Sequence, residues 1–147
     1  MDIEITYKDL NDAVDEEIAR SAARAYSADG TPLFDGMAKT SRDANVMKVL
    51  TGEAVTVLQS AVMRFILDVS RDETSLVFTF DLSGRRAKGK CDLFESLLKS
   101  ILAKLILSKY FAEKQQADLF AFFDELAAAD IKTLTKHMYE KSAPYHL

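Results

Sequence analysis

The chain of 147 residues has one cysteine, two prolines, five glycines and no tryptophan. A single thiol, Cys91, excludes an intrachain disulfide framework and offers no CxxC pair or Cys/His set to a metal; it fits a reducing compartment. No run approaches the roughly 18 apolar residues of a membrane span. The longest candidate, LLKSILAKLIL, is broken by Lys99 and Lys104. The beginning, MDIEITYKD, is acidic and alternating, so no secretory signal peptide is expected there. Positive charge is in deficit, with 19 Lys and Arg against 23 Asp and Glu and a net charge of -4. That balance opposes bulk attachment to nucleic acid or anionic membrane. The phosphate-cradling and nucleophile-elbow patterns GxxxxGKS/T, GxGxxG and GxSxG are absent as well.

What is present is a foldable mixture, 48% hydrophobic and 29% charged, of the size of one domain. In DIEITY, Ile3, Ile5 and Tyr7 alternate with Asp2, Glu4 and Thr6, the period of a half-buried strand. Thr6 and Asp9 have capping-box spacing, and Leu10, Val14, Ile18, Ala22 and Ala25 follow at helical intervals, which predicts a first helix over about 8 to 27. Gly30 and Pro32 stop it. A second helix is expected from a cap at Thr40 or Ser41 to about residue 69, with Phe65 and Ile66 on its apolar face. Gly52 and the β-branched residues around it predict a break or bend near 51 to 53. A strand over 75 to 82 places Leu76, Phe78, Phe80 and Leu82 on one face.

From Leu93 to Tyr110 the apolar positions cover more than half a helix circumference, as expected of a central core helix. Lys99, Lys104 and Lys109 lie off this face, so Lys104→Ala is expected to cost little, whereas Leu98→Ala or Ile101→Ala costs about 2 to 5 kcal/mol. A fourth helix starts near Leu119 and, re-capped at Asp130, continues to Tyr139; Pro144 closes the pattern. The expected architecture is mostly α: one domain over 1–147 with about four main helices in a bundle, an N-terminal strand and a short two-stranded β-ribbon near 75–90.

Candidate chemistry is sparse. His137 and Glu140 are one helical turn apart but have no third ligand at a defined spacing. His146 lies at the chain end. Cys91 follows Lys90 at a helix start, without a His or Asn partner. No catalytic residue, cofactor or metal is therefore expected. Arg85, Arg86, Lys88 and Lys90 concentrate four cations between and beside Gly84 and Gly89, a contact for an acidic protein surface or, nonspecifically, for a DNA backbone. A two-stranded ribbon leaves its edges open, so Ile3, Ile5, Phe78 and Phe80 mark strands expected to pair at an edge with a neighbouring copy. A groove between the last two helices, rich in Phe120, Phe122 and Phe123, is the alternative binding site, for a partner helix or small ligand in a cytosolic regulatory module.

Two stretches carry a family resemblance. TYKDLNDAVDEEIARSAARAYS resembles the start of tailed-phage head-to-tail connector (adaptor) proteins at Asp9, Leu10, Asp15, Glu16, Ile18, Ala22 and Ala23. LLKSILAKLILSKYFAEKQ is similar to a later helix of that family, an aliphatic run ending in an aromatic and a charged pair, here Tyr110, Glu113 and Lys114. Residues 40 to 82 have no counterpart. The resemblance implies a small, non-enzymatic helical protein that forms a ring between portal and tail, with other structural proteins as neighbours, in the virion or the bacterial cytoplasm.

Overall fold

A computed structural model describes residues 2–22, 43–81 and 91–139. Along these the chain forms β1 (Asp2–Thr6), α1 (Tyr7–Ala22), α2 (Asp43–Ala61), β2 (Ile66–Arg71), β3 (Ser75–Phe80), α3 (Cys91–Glu113) and α4 (Ala117–Tyr139). The class is mostly helical, as expected, but the sheet has three strands in the order β1-β3-β2, all antiparallel. The expected two-stranded ribbon is corrected by β2. Residues 66 to 69, expected to end the second helix, instead pair with β3. Ile66 and Val69, three residues apart, fit a helical face; opposite Phe80 and Phe78 they share a strand face only because the register shifts between Ile66 and Asp68, which short-range pattern does not reveal. The turn over 62–65 decides: Phe65 N–H donates to Val62 C=O at 2.9 Å and the chain reverses into a hairpin.

That hairpin is closed by Asp72. Its carboxylate accepts from the N–H groups of Thr74 and Ser75, each at 2.7 Å, and from the Thr74 hydroxyl at 3.0 Å. These bonds favour the ionised form, backbone Thr74 first, and hold Asp72 below its ordinary value. The loop between β2 and β3 is thus pinned by one side chain.

Ile3, Ile5, Leu76, Phe78 and Phe80 form the inner face of the sheet, each no more than 2% exposed. They pack toward α3, where the Phe94 ring lies 6.1 Å from that of Phe80. α3 touches α1, α2, α4 and β1. Leu98, Ile101, Leu102 and Ile106 are fully enclosed, so α3 is the central helix that its wide apolar face predicts. Thr6 caps α1 by accepting from Asp9 N–H at 3.1 Å, the expected half of the capping box.

The break or bend expected near 51 to 53 does not interrupt the helix. α2 runs unbroken through Gly52, with Thr51 and Thr56 donating their hydroxyls to the carbonyls of Met47 and Gly52. Ala54, Val55 and Leu58 are buried on its core face, and this packing overrides the weak propensity of the centre. A Cβ at Gly52 would lie 3.2 Å from Nη1 of Arg71, so the glycine makes room for that side chain against the helix. α4 likewise passes through Asp130 without a new cap. α3 ends in a Schellman motif: Gln116 N–H reaches Phe111 C=O and Gln115 N–H reaches Ala112 C=O, with Gln115 at a φ of 59°.

Candidate functional site

The first candidates are the residues that the sequence singles out. Arg85, Arg86, Lys88 and Lys90 fall between β3 and α3 and lie outside the described residues, as do Glu140 and His146. His137 is half-buried on α4, and Cys91 is the exposed first residue of α3. Among the described residues no three His, Cys, Asp or Glu side chains come together to hold a metal.

Ile3 and Ile5 sit on an outer strand, but Phe78 and Phe80 do not. β3 is the central strand, paired on one side with β1 (Ile3 opposite Phe78) and on the other with β2 (Val69 opposite Phe78). Among the described residues, the outer sides of β1 and β2 are the ones without a strand partner. The two differ. β2 has a register irregularity between Ile66 and Asp68, a bulge that bends a strand and discourages pairing. β1 keeps an unbroken register over five residues. Tyr7 N–H donates to Thr74 C=O at 2.9 Å, which puts Ile5 and Ile3, at two-residue steps, in the hydrogen-bonded pairs with β3. The backbone N–H and C=O of Asp2 and Glu4 consequently point away from β3.

The segment that contains β1 and α1 is acidic. Residues 2–22 hold seven Asp and Glu against Lys8 and Arg20. Asp2, Glu4, Asp9, Asp12, Asp15 and Glu16 are exposed. Partial burial, followed by the Asp12 carboxylate three residues away, pushes Asp15 above its ordinary value. Beside these residues a groove of about 530 Å³ runs between α1 and α3, with Ala13 and Ala103 among its lining and Asp9, Asp12, Glu16, Ser96, Lys99 and Ser100 around it.

Ser100 connects the groove to a polar network that sequence reasoning missed. Lys104 Nζ donates to Ser100 Oγ at 2.9 Å, Ser100 Oγ lies 3.1 Å from an Asp130 carboxylate oxygen, and Lys104 forms a close ion pair with the same oxygen. A serine beside a lysine invites a nucleophile reading. Here, however, both the serine and the lysine are bonded to the same Asp130 carboxylate oxygen. The network instead ties α3 to α4. Ser100 and Lys104 are spaced i and i+4, which is legible in sequence, but their partner 26 residues beyond Lys104 is brought in only by the helical hairpin.

Of the three phenylalanines expected at a groove between the last two helices, one is in the core and two are at the surface. Phe123 is fully buried and stacks on Phe111 with ring centroids 6.0 Å apart. Phe120 and Phe122 are partly exposed, on either side of the buried stripe, since two residues along a helix turn through about 200°. At the other end of α4, Arg64 donates to the Tyr139 hydroxyl at 2.8 Å and the Tyr139 ring meets Phe65 edge-on at 5.0 Å. This contact clasps α4 to the turn before β2. Among the described residues no helix is long and apolar enough to cross a membrane. No family model, curated protein or solved structure matches the chain.

Proposed function

We propose that this protein is a non-catalytic structural subunit that assembles with copies of itself, specifically a head-to-tail connector of a tailed-phage virion. The observation that carries the reading is the division of charge along the chain. An acidic strand and helix over 2–22 stand against a short segment with four cations and no acid, Arg85 to Lys90. Opposite patches on one molecule attract in a head-to-tail sense, and a head-to-tail contact that closes on itself generates a ring. The resemblance of residues 6–27 and 97–115 to connector proteins supports the same reading, and the structural proteins above and below such a ring are its further partners. Nonspecific contact of the cations with DNA is secondary to this, because the acidic body repels a phosphate backbone.

Sedimentation of the parent protein and of a variant with Arg85, Arg86, Lys88 and Lys90 all changed to Ser tests it. The parent assembles at low salt and less at high salt, since screening shortens the reach of exposed charges to about 8 to 10 Å at physiological ionic strength. The variant stays monomeric at both. A parent that remains monomeric at high concentration and low salt overturns the proposal.

A further inference from the structure

We propose that the β2–β3 turn is a charge-operated latch on the junction between β1 and α1: the Asp72 carboxylate orients the peptide group of the turn that binds the start of α1, and neutralising that carboxylate loosens the start. The latch works within a single copy of the chain and is independent of the assembly reading. β1 passes into α1 without an intervening residue, Thr6 ending the strand and Tyr7 beginning the helix. A helix start leaves its first N–H groups without partners inside the helix. Asp9 N–H finds the Thr6 hydroxyl at 3.1 Å. Tyr7 N–H finds the carbonyl of Thr74, in the turn, at 2.9 Å.

That carbonyl and the N–H of Ser75 belong to one planar trans peptide group, so they point in opposite directions and rotate together. Asp72 holds the N–H end of the group at 2.7 Å. A second bond to the same oxygen, from Thr74 N–H at 2.7 Å, and the return bond from Asp72 N–H to Ser75 C=O at 3.1 Å leave the group little freedom. Carboxylate, peptide group and Tyr7 N–H thus form a continuous chain of hydrogen bonds. A negative charge at one end polarises the peptide and strengthens its carbonyl as an acceptor at the other. Arg71 and Glu73 flank Asp72, and Lys8 and Asp9 follow Tyr7 at the helix start; all four are exposed, where solvent screens them. The bond from Thr74 N–H, then that from Ser75 N–H, leads the causes that hold the carboxyl below its ordinary value. The latch is therefore closed above 3.8 and opens as the pH falls through the lowered value.

Amide hydrogen exchange read residue by residue, corrected for the intrinsic rate, tests the latch. Ile106, buried in α3, reports global opening. At neutral pH Tyr7 exchanges about fivefold faster or more in Asp72→Ala than in the parent, a larger factor than at Ile106. Asp72→Asn keeps an acceptor oxygen but not the charge, and its Tyr7 rate falls between those of the parent and Asp72→Ala. In the parent, Tyr7 protection drops as acid protonates Asp72, and Asp72→Asn lacks this step. Equal factors at Tyr7 and Ile106 in Asp72→Ala overturn the latch and leave Asp72 an ordinary turn residue. Parental protection of Tyr7 in Asp72→Asn overturns the role of the charge. The same acid profile in parent and Asp72→Asn assigns the step to another carboxyl and overturns it as well. None of these outcomes bears on self-assembly, which sedimentation decides separately.

Discussion

Lys104 and Asp130 provide the sharpest test of how this fold is held. In sequence Lys104 lies off the apolar face of its helix, and its removal is expected to be nearly free. In the structure its side chain is 13% exposed and that of Asp130 is 25% exposed, and the two form an ion pair with Ser100 beside them. An exposed pair contributes about 0 to 1 kcal/mol, whereas breaking a buried pair by deleting one partner costs about 3 to 5 kcal/mol. The partial exposure of both groups sets the expected cost of Asp130→Ala between these, at about 2 kcal/mol. The two halves are not equivalent. Without Asp130, the Lys104 ammonium retains only the Ser100 oxygen and little water. Without Lys104, Asp130 retains the Ser100 hydroxyl as a donor and twice the solvent exposure, so Lys104→Ala costs less, about 1 kcal/mol. Lys104→Met combined with Asp130→Leu removes both charges and recovers most of the loss. Urea unfolding of Lys104→Ala, Asp130→Ala and the variant carrying both alanines gives the coupling energy from a double-mutant cycle. Single costs below about 0.5 kcal/mol with additive behaviour would refute the claim that this pair joins α3 to α4.

Ile101→Ala removes a fully enclosed side chain from the middle of α3 and is expected to cost about 2 to 5 kcal/mol in the same urea assay. Gln115→Gly relieves a non-glycine residue of its left-handed conformation and should stabilise by about 1 kcal/mol, visible as a higher denaturation midpoint. Asp72 has a lowered folded-state value, so its contribution is fully present above its ordinary value of 3.8 and is lost as the pH falls through the lowered value. Thermal melts across that acid range should therefore fall more steeply for the parent than for Asp72→Ala, and equal slopes would show that the hairpin turn is not the titrating element. Tyr139→Phe keeps the ring against Phe65 but loses the Arg64 bond; because the contact is exposed, amide exchange near residue 139 should quicken while the global denaturation midpoint stays nearly constant.

Much of this architecture follows from local rules. The alternation of DIEIT specifies β1, Thr6 specifies the start of α1, and the broad apolar face from Phe94 to Phe111 specifies a helix that other elements surround. Strong periodicity over several turns is robust because every residue in it favours the same conformation. Around residues 51 to 69 the local signals conflict with the outcome. Gly52 and its β-branched neighbours disfavour a helix that the core nevertheless keeps unbroken, and Ile66 to Val69 continue a helical spacing that the hairpin converts to strand. Both results depend on partners distant in sequence, namely the packing of Val55 and Leu58 and the hydrogen bonds that β3 offers to β2.

The same division holds for the candidate site. Composition alone sets an acidic beginning against a basic segment before Cys91, because charge is a property of residues and survives any fold. Which strand edge is open is not a property of residues. Phe78 and Phe80 look like edge positions in sequence, yet β2 encloses their strand and leaves β1 as an outer strand of the described sheet. Lys104 meets Asp130 only after the turn at Gln115 folds α4 back along α3. Strand order and interhelical pairing are decided by long-range contacts that bury the most apolar surface, and no short window of sequence contains both partners.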